Sequence, residues 1–305
     1  MDNSEFNLYN IHLELVGKGL SVEVIPSLCT VTNYHQLKQI ILQNKIHTIY
    51  HAAAYKHVPM VEMNIVSGTY NNVIGTYNVS KLADELEVEN MVLVSTDKAV
   101  RPTNIMGASK RMSELILQAF SDRSKCCFSM VRFGNVLDSA GSVVPLFRNQ
   151  IKEGGPVTVT HRNITRYFMS IPEAVELVLQ SGAMAKGGDV FVLDMGEPIK
   201  IIDLAYKMIH LSGLTPIDNE NPDGDIRIEY TGLRPGEKLY EELLIGSDVI
   251  QSEHPRIMQA KERKLSFKEV LHCIEIIKLA RENQDERVVK ELLLKYIDGY
   301  TSETL

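Results

Sequence analysis

A carboxyl and an amine stand side by side at Asp97-Lys98, with Ser95-Thr96 before them and a second lysine, Lys110, shortly after. Held in one pocket, such a pair can serve as general acid and general base for proton transfer at a bound substrate. That work requires Asp97 protonated and Lys98 neutral at working pH, so desolvation must shift both. The other reading of the same residues is a solvated surface ion pair.

The flanking sequence favours a pocket. Residues 90–94 are apolar and β-prone and run directly into Ser95, and in an open α/β sheet the carboxyl ends of the strands are where ligands bind. Pro102 and Thr103 break the chain, and Thr103 or Asn104 can cap the helix that follows. On that helix Met106 and Lys110 fall at i and i+4, which directs Lys110 back over the strand end.

Further along, β-type runs at 22–29, 48–54, 91–95, 127–136 and 190–195 alternate with helical patterns at 34–44, 68–86, 106–121 and 172–181. This alternation predicts an α/β fold, a doubly wound parallel sheet with helices on both faces, ending near residue 195. From residue 199 short helices and Gly/Pro-rich loops take over, and the last stretch reads as amphipathic helix, giving a smaller lobe over the strand ends. The 305 residues suffice for one large or two modest domains, and 44% apolar against 23% charged residues excludes disorder.

A net charge of -7 and a pI near 5.8 argue against nucleic acid or an anionic membrane as partner. Cys29, Cys126, Cys127 and Cys273 show no metal-ligand spacing, so no metal is expected, and a reducing cytoplasm suits them. No apolar run approaches the roughly 20 residues of a membrane helix, and no signal peptide opens the sequence.

Other segments point at the same crevice. Ala52-Ala53-Ala54 end a strand with small side chains, letting a flat ligand or a pyrophosphate approach the backbone; Asn72, on the next helix, is expected to face it too. Phe133-Gly134-Asn135 end another strand, followed by Gly141-Ser142-Val143-Val144-Pro145, and later come Thr165-Arg166 and Leu233-Arg234-Pro235-Gly236-Glu237-Lys238.

With 51–59 and 95–110, these segments resemble the extended short-chain dehydrogenase/reductase family, and within it the UDP-N-acetylglucosamine 4,6-dehydratases of bacterial polysaccharide and glycan biosynthesis. The resemblance spans nearly the whole chain. It implies a Rossmann-type NAD(P)-binding domain over 1–198, with a substrate-lobe insertion around 139–165, and a C-terminal substrate-binding lobe with a helical tail over 199–305. Such enzymes are redox-neutral: hydride leaves sugar C4, the ketone acidifies the C5 proton, water leaves from C6 and hydride returns there. By resemblance Asp97 is the acid, Lys98 the base, and Lys110 holds the nicotinamide ribose. Where the wider family has a tyrosine for the C4 hydroxyl proton this chain has Met106, as the larger membrane-anchored dehydratases do. The proton must then leave another way, through Thr96 and water to Lys110, and Met106 is otherwise a core filler.

The resemblance further implies NAD, contacted by Asp2, Ala52, Ala53, Ala54, Asn72, Ser95, Lys110 and Phe133, with Asp2 favouring NAD over NADP. It implies a UDP-sugar met by Lys56, Asn135, Val143, Thr158, Thr160, Arg166, Arg234 and Glu237. Thr158 and Thr160 either line the uracil pocket or are β residues of a hairpin. Arg166 pairs either phosphate or a nearby carboxylate, and Glu237 either meets ligand or fixes Arg234. A homo-oligomer is expected. No glycine-rich strand–helix turn occurs in the 305 residues, so the sheet is expected to lack its first two strands, with 22–28 either collapsing onto 48–54 or leaving a groove. The alternatives to a dehydratase are a nucleotide-sugar 4-epimerase and a cofactor-poor protein that only binds nucleotide sugar.

Overall fold

Met91 and Leu93 bury their side chains on one face of a sheet and Val92 on the other, and each face has its own apolar core. The computed structural model describes residues 1–242 and 249–301. In chain order, α1 (Glu5–Gly17) and α2 (Tyr34–Gln43) precede β1 (Thr48–His51), and α3 (Val58–Glu62), α4 (Ile65–Thr69), a π-helical turn (Tyr70–Ile74) and α5 (Gly75–Glu85) lead to β2 (Asn90–Val94). A 3-10 turn (Asp97–Ala99) and α6 (Ile105–Ser121) follow, then β3 (Cys127–Arg132) and β4 (Asn135–Val136).

The smaller lobe begins with α7 (Val143–Lys152), β5 (Val157–Val159) and β6 (Thr165–Arg166). The chain then returns through β7 (Phe168–Met169), α8 (Ile171–Met184) and β8 (Asp189–Leu193), and adds β9 (Ile199–Lys200), α9 (Ile201–Leu211), β10 (Pro216–Ile217) and β11 (Ile226–Tyr230). It closes with β12 (Val249–Gln251), β13 (Ile257–Ala260), α10 (Phe267–Asn283) and α11 (Glu286–Tyr296).

The main sheet has the order β1-β2-β3-β8-β13-β12. Its first four strands are parallel, in register Thr48↔Asn90, Asn90↔Cys127 and Ser129↔Asp189. The expected end at residue 195 is corrected here: β13 pairs antiparallel with β8 and β12 with β13, extending the sheet by two strands whose short apolar content gave no parallel-sheet signal. Helices α5 and α6 cover one face and α8 the other, as expected for a doubly wound sheet. α10 and α11 pack against α6 and α4, so their buried Ile274, Ile277, Leu292 and Leu293 belong to the large core although the sequence attached them to the second lobe.

That lobe has its own core, with Phe147 and Ile151 of α7, Val157 and Val159 of β5, and Ile201, Ala205 and Ile209 of α9 against Ile226. Its sheet runs β10-β11-β5 with parallel pairing, so Thr158 sits in a parallel strand opposite Glu229, and the hairpin reading is corrected.

Residues 22–29 do not form the expected strand. Pro26 lacks a backbone donor, and the segment's sole ladder contact among the described residues is Leu28 opposite Asp2. The collapse of 22–28 onto β1 is not realised as a pairing, and β1 lies at the edge of the sheet. β1 itself stops at His51, which leaves Ala52–54 as loop, and the strand read at 127–136 breaks at Gly134 into β3 and β4. The long helix read at 68–86 starts at Ile65 and contains the π-helical turn.

Candidate active site

Ser95 leaves the end of β2 with its N–H donated to Val131 O, so the chain stays in sheet register until Thr96 and then folds into the 3-10 turn that carries Asp97 and Lys98. The Asp97 N–H reaches Phe133 O on the neighbouring strand at 3.1 Å, which fixes the carboxylate over the gap between β2 and β3. Glycine makes that gap possible. A Cβ on Gly134 would lie 3.1 Å from Asp97 Oδ2, and one on Gly107 would lie 2.2 Å from Lys98 O, so α6 packs directly on the turn.

Asp97 is 0% exposed. Its Oδ1 accepts from Thr96 Oγ1 and from Lys98 Nζ, each at 2.9 Å, and its Oδ2 is buried with no hydrogen-bond partner among the described residues. The solvated-ion-pair reading therefore fails on burial. Lys98 is not, however, the neutral amine expected. Burial disfavours its charge, but Asp97 at 2.9 Å and Glu241 at 3.6 Å outweigh burial, and its pKa is raised above the ordinary lysine value. Lys98 therefore stands as the ammonium, donating to Asp97.

Lys110 does reach back over the strand end, donating to Val94 O at 2.7 Å. Burial is the main reason its pKa falls to about 8, with Glu114 pulling the other way. His51 lies nearby, pushed down to about 3 by burial and then by the Lys110 charge, and its Nε2 is 3.0 Å from Thr76 Oγ1. Thr96 donates its hydroxyl to Asp97 Oδ1, and Lys110 donates to Val94 O rather than directly to Thr96. Met106 is 3% exposed within the large core. Met106→Ala should therefore cost stability, about 2–5 kcal/mol by thermal unfolding, and leave turnover per folded molecule within a few-fold; full loss of turnover with the fold intact would instead make Met106 a contact to ligand.

All eight residues expected to meet the sugar nucleotide line one cleft of about 290 Å³ with Lys98: Lys56, Asn135, Val143, Thr158, Thr160, Arg166, Arg234 and Glu237. Within it Thr158 Oγ1 accepts from Gln150, and Thr160 Oγ1 donates to Glu237 Oε1 at 3.3 Å. Arg234 is exposed at the cleft rim, its N–H accepted by Glu237 Oε2, while Arg166 is buried against Glu237 and Glu241. Glu237 thus fixes the backbone of Arg234 and also pairs with Arg166. Burial lowers the pKa of Lys56.

The expected cofactor residues fall into three places. Ser95, Lys110 and Phe133 gather at the ends of β2 and β3. Ala52 and Ala53 are exposed beyond β1, and Ala54 is half-buried. Asn72 does not face the crevice: its amide accepts from Tyr55 N and donates to Tyr55 O and Ser109 Oγ, so it clamps the loop after β1 instead. Asp2 sits at the start of α1, bridged to residues 27–29 and accepting from Ser4 N. A nicotinamide ribose fits the first group, because the Lys110 side chain has donors beyond the one given to Val94 O. Among the described residues no group of three or more His, Cys, Asp and Glu is placed to hold a metal, and no helix is long and apolar enough to cross a membrane.

Sequence reading missed what lies behind the site. Glu114, one turn beyond Lys110, is wholly buried and accepts from Ser95 Oγ (2.6 Å), from Arg132 Nε (2.7 Å) and Nη2 (2.5 Å), and from Arg111 Nη1 (2.9 Å). Glu262, just past β13, accepts from Arg132 as well. Arg132, an arginine closing an otherwise apolar strand, was the visible signal. Glu241 was missed too, because it lies in an irregular stretch beyond the Arg234 motif.

A parallel sheet with helices on both faces, an aspartate–lysine pair at a strand end, and a helix-borne lysine over the strand end define an extended short-chain dehydrogenase/reductase fold. The chain belongs to the family described as "Polysaccharide biosynthesis protein", whose model matches residues 1–262. It is 48% identical over 298 residues to the capsular polysaccharide biosynthesis protein CapD of Staphylococcus aureus, covering 97% of this chain but 47% of that protein, so it spans about half the length of that relative. It is 35% identical over 226 residues to a UDP-glucose 4-epimerase of Rickettsia bellii, 73% of this chain and 62% of the relative. Among solved structures, Pen from Bacillus thuringiensis superposes with a TM-score of 0.75 at 32% identity, covering 90% of this chain and 88% of that one. The dTDP-glucose 4,6-dehydratase DesIV from Streptomyces venezuelae, solved with NAD, has a TM-score of 0.68 over 90% of this chain and 84% of that one; at 19% identity it speaks for the fold alone.

Proposed function

We propose that this chain carries the catalytic unit of an NAD-dependent nucleotide-sugar 4,6-dehydratase, acting on UDP-N-acetylglucosamine to give the 4-keto-6-deoxy sugar. One observation carries the reading: a buried carboxylate and an ammonium 2.9 Å apart at a strand end, opening through Lys98 on a cleft that holds Arg166, Arg234 and Asn135. Two guanidiniums suit a diphosphate, and the apolar wall of Val143, Ile164 and Phe168 suits the flat faces of base and sugar. Membership in a polysaccharide biosynthesis family agrees with a nucleotide-sugar substrate.

Asp97 and Lys98 can carry both proton transfers of the elimination, one accepted from C5 and one given to the C6 oxygen. Moving one proton from Lys98 Nζ to Asp97 Oδ1 turns the ion pair into a neutral amine and a carboxylic acid without changing the net charge of the buried pair. The amine then accepts the C5 proton, the acid gives its proton to the departing C6 oxygen as water, and the ion pair is restored. Bound NAD would supply hydride acceptance from C4 and its return at C6, and Lys110, Ser95 and Phe133 are the residues that would hold its nicotinamide end. Lys110, down at about 8, is partly neutral near neutral pH and is the nearest candidate to take the C4 hydroxyl proton that Met106 cannot.

The epimerase relatives favour a second reading, 4-epimerisation, which shares the C4 hydride step but leaves Asp97 and Lys98 without work. Chromatographic separation with mass detection of UDP-N-acetylglucosamine incubated with the protein, with and without added NAD, separates the two. Loss of one water supports the dehydratase; an isomer of unchanged mass overturns it in favour of the epimerase.

A further inference from the structure

Lys98 lies between two carboxylates that come from different parts of the fold. Asp97 belongs to its own 3-10 turn, and Glu241 comes from the stretch that follows the Arg234 loop. The Glu241 side chain is 3% exposed. One oxygen, Oε1, faces both Lys98 Nζ at 3.6 Å and Arg166 Nε at 3.5 Å, and the other, Oε2, is buried with no hydrogen-bond partner among the described residues. A buried carboxyl group set between two cations at these distances acts mainly on the groups it touches, because little water intervenes.

We propose that Glu241 is a positioning residue for the acid–base pair, closing a two-carboxylate clamp on the Lys98 ammonium and thereby deciding at what pH Lys98 can accept a proton. The functional consequence rests on the reading of Lys98 as the base; the clamp itself does not. The charged groups facing Lys98 are Asp97 and Glu241, which favour its ammonium, and Arg166, which opposes it, while Glu237 faces Arg166 from the far side. Asp97 is the larger reason that Lys98 stays charged despite its burial, and Glu241 adds to it. In the neutral form of the pair, Glu241 is the one carboxylate among the described residues left against Lys98. It therefore sets how readily that form arises.

The test reads Lys98 directly. Competitive acetylation with trace acetic anhydride across a pH series, scored by mass spectrometry of the Lys98 peptide against N-acetyl-lysine amide, gives the midpoint at which Lys98 loses its proton. In the parent protein this midpoint should lie above that of the reference. Glu241→Gln should lower it by about one pH unit, and Arg166→Gln should raise it, because the two neighbours act with opposite sign. Glu241→Asp covers the case in which the amide disturbs folding, with a smaller fall of the same sign expected from a withdrawn charge. A midpoint in a folded Glu241 variant within about 0.2 unit of the parent overturns the clamp, as would a fall in Arg166→Gln. Where the protein dehydrates its substrate, the alkaline limb of the rate profile, on which the pair loses its shared proton, should move to lower pH in Glu241→Gln by the same amount as the midpoint, a shift that lost packing cannot produce. A shifted midpoint with an unmoved rate limb would sustain the clamp and reject Lys98 as the base, so the two readings fail separately.

Discussion

Asp97→Asn and Lys98→Gln should each lower dehydration of UDP-N-acetylglucosamine by at least about a hundredfold, roughly 2.7 kcal/mol of barrier, while leaving its binding within a few-fold. The substitutions are chosen to spare the fold. Asparagine keeps an oxygen for the Thr96 and Lys98 donors, and glutamine keeps an N–H for Asp97 Oδ1, so neither leaves a buried charge without a hydrogen bond. Asparagine cannot supply the proton that the C6 oxygen needs, and glutamine cannot accept the one from C5. Binding should survive because Arg166, Arg234 and Asn135 lie elsewhere along the cleft. The measurement is turnover by loss of one water together with calorimetric affinity for UDP-N-acetylglucosamine; turnover within about tenfold of the parent in either variant, or about 1.4 kcal/mol, would remove that residue from the chemistry.

How much of this was visible in the sequence depends on the range over which each signal acts. The strand–turn–helix unit around Asp97 was legible because everything that makes it is local: an apolar run, a polar strand end, a proline break, and the Asn104 side chain accepting from Gly107 N. The cleft residues were legible through resemblance, as their grouping depends on the second lobe folding over the strand ends. The π-helical turn at Tyr70–Ile74 shows the limit of periodicity, for the same apolar spacing is read as one α-helix. Asn72 was misplaced for that reason, since the turn swings its amide onto Tyr55. The antiparallel β13 was missed because its partner β8 lies some way back in the chain, and no composition cue marks such a pairing. The charge of Lys98 was misjudged because desolvation could be foreseen from the strand end whereas the Glu241 contact could not.

The buried cluster behind the site supports the remaining large effect. Glu114→Gln should destabilise the protein by about 3 kcal/mol or more at pH 7, since removing one partner of a buried ion pair strands the others. Burial alone would push the Glu114 carboxyl up, but Arg132 first, then Arg111 and the Ser95 hydroxyl, bring it down to about 2. A carboxylate with a depressed folded-state value contributes stability that is complete above the unfolded value, near 4.3, and is lost as pH falls through the folded one. The destabilisation by Glu114→Gln should therefore be constant from neutral pH to about 5 and shrink between about 4.3 and 2. His51, pushed down to about 3, also loses its contribution as pH falls below its ordinary value, but it does so in parent and variant alike and cancels in the difference. Arg132→Lys should not rescue the cluster: Arg132 uses Nε and Nη2 on Glu114 and Nη1 and Nη2 on Glu262, a planar fork that a single ammonium cannot reproduce. Denaturant unfolding of parent and Glu114→Gln across pH 3 to 7 makes the measurement. A difference that stays flat through pH 3, or one below about 1 kcal/mol at pH 7, would mean that the ends of β2 and β3 are held by packing rather than by this charge cluster.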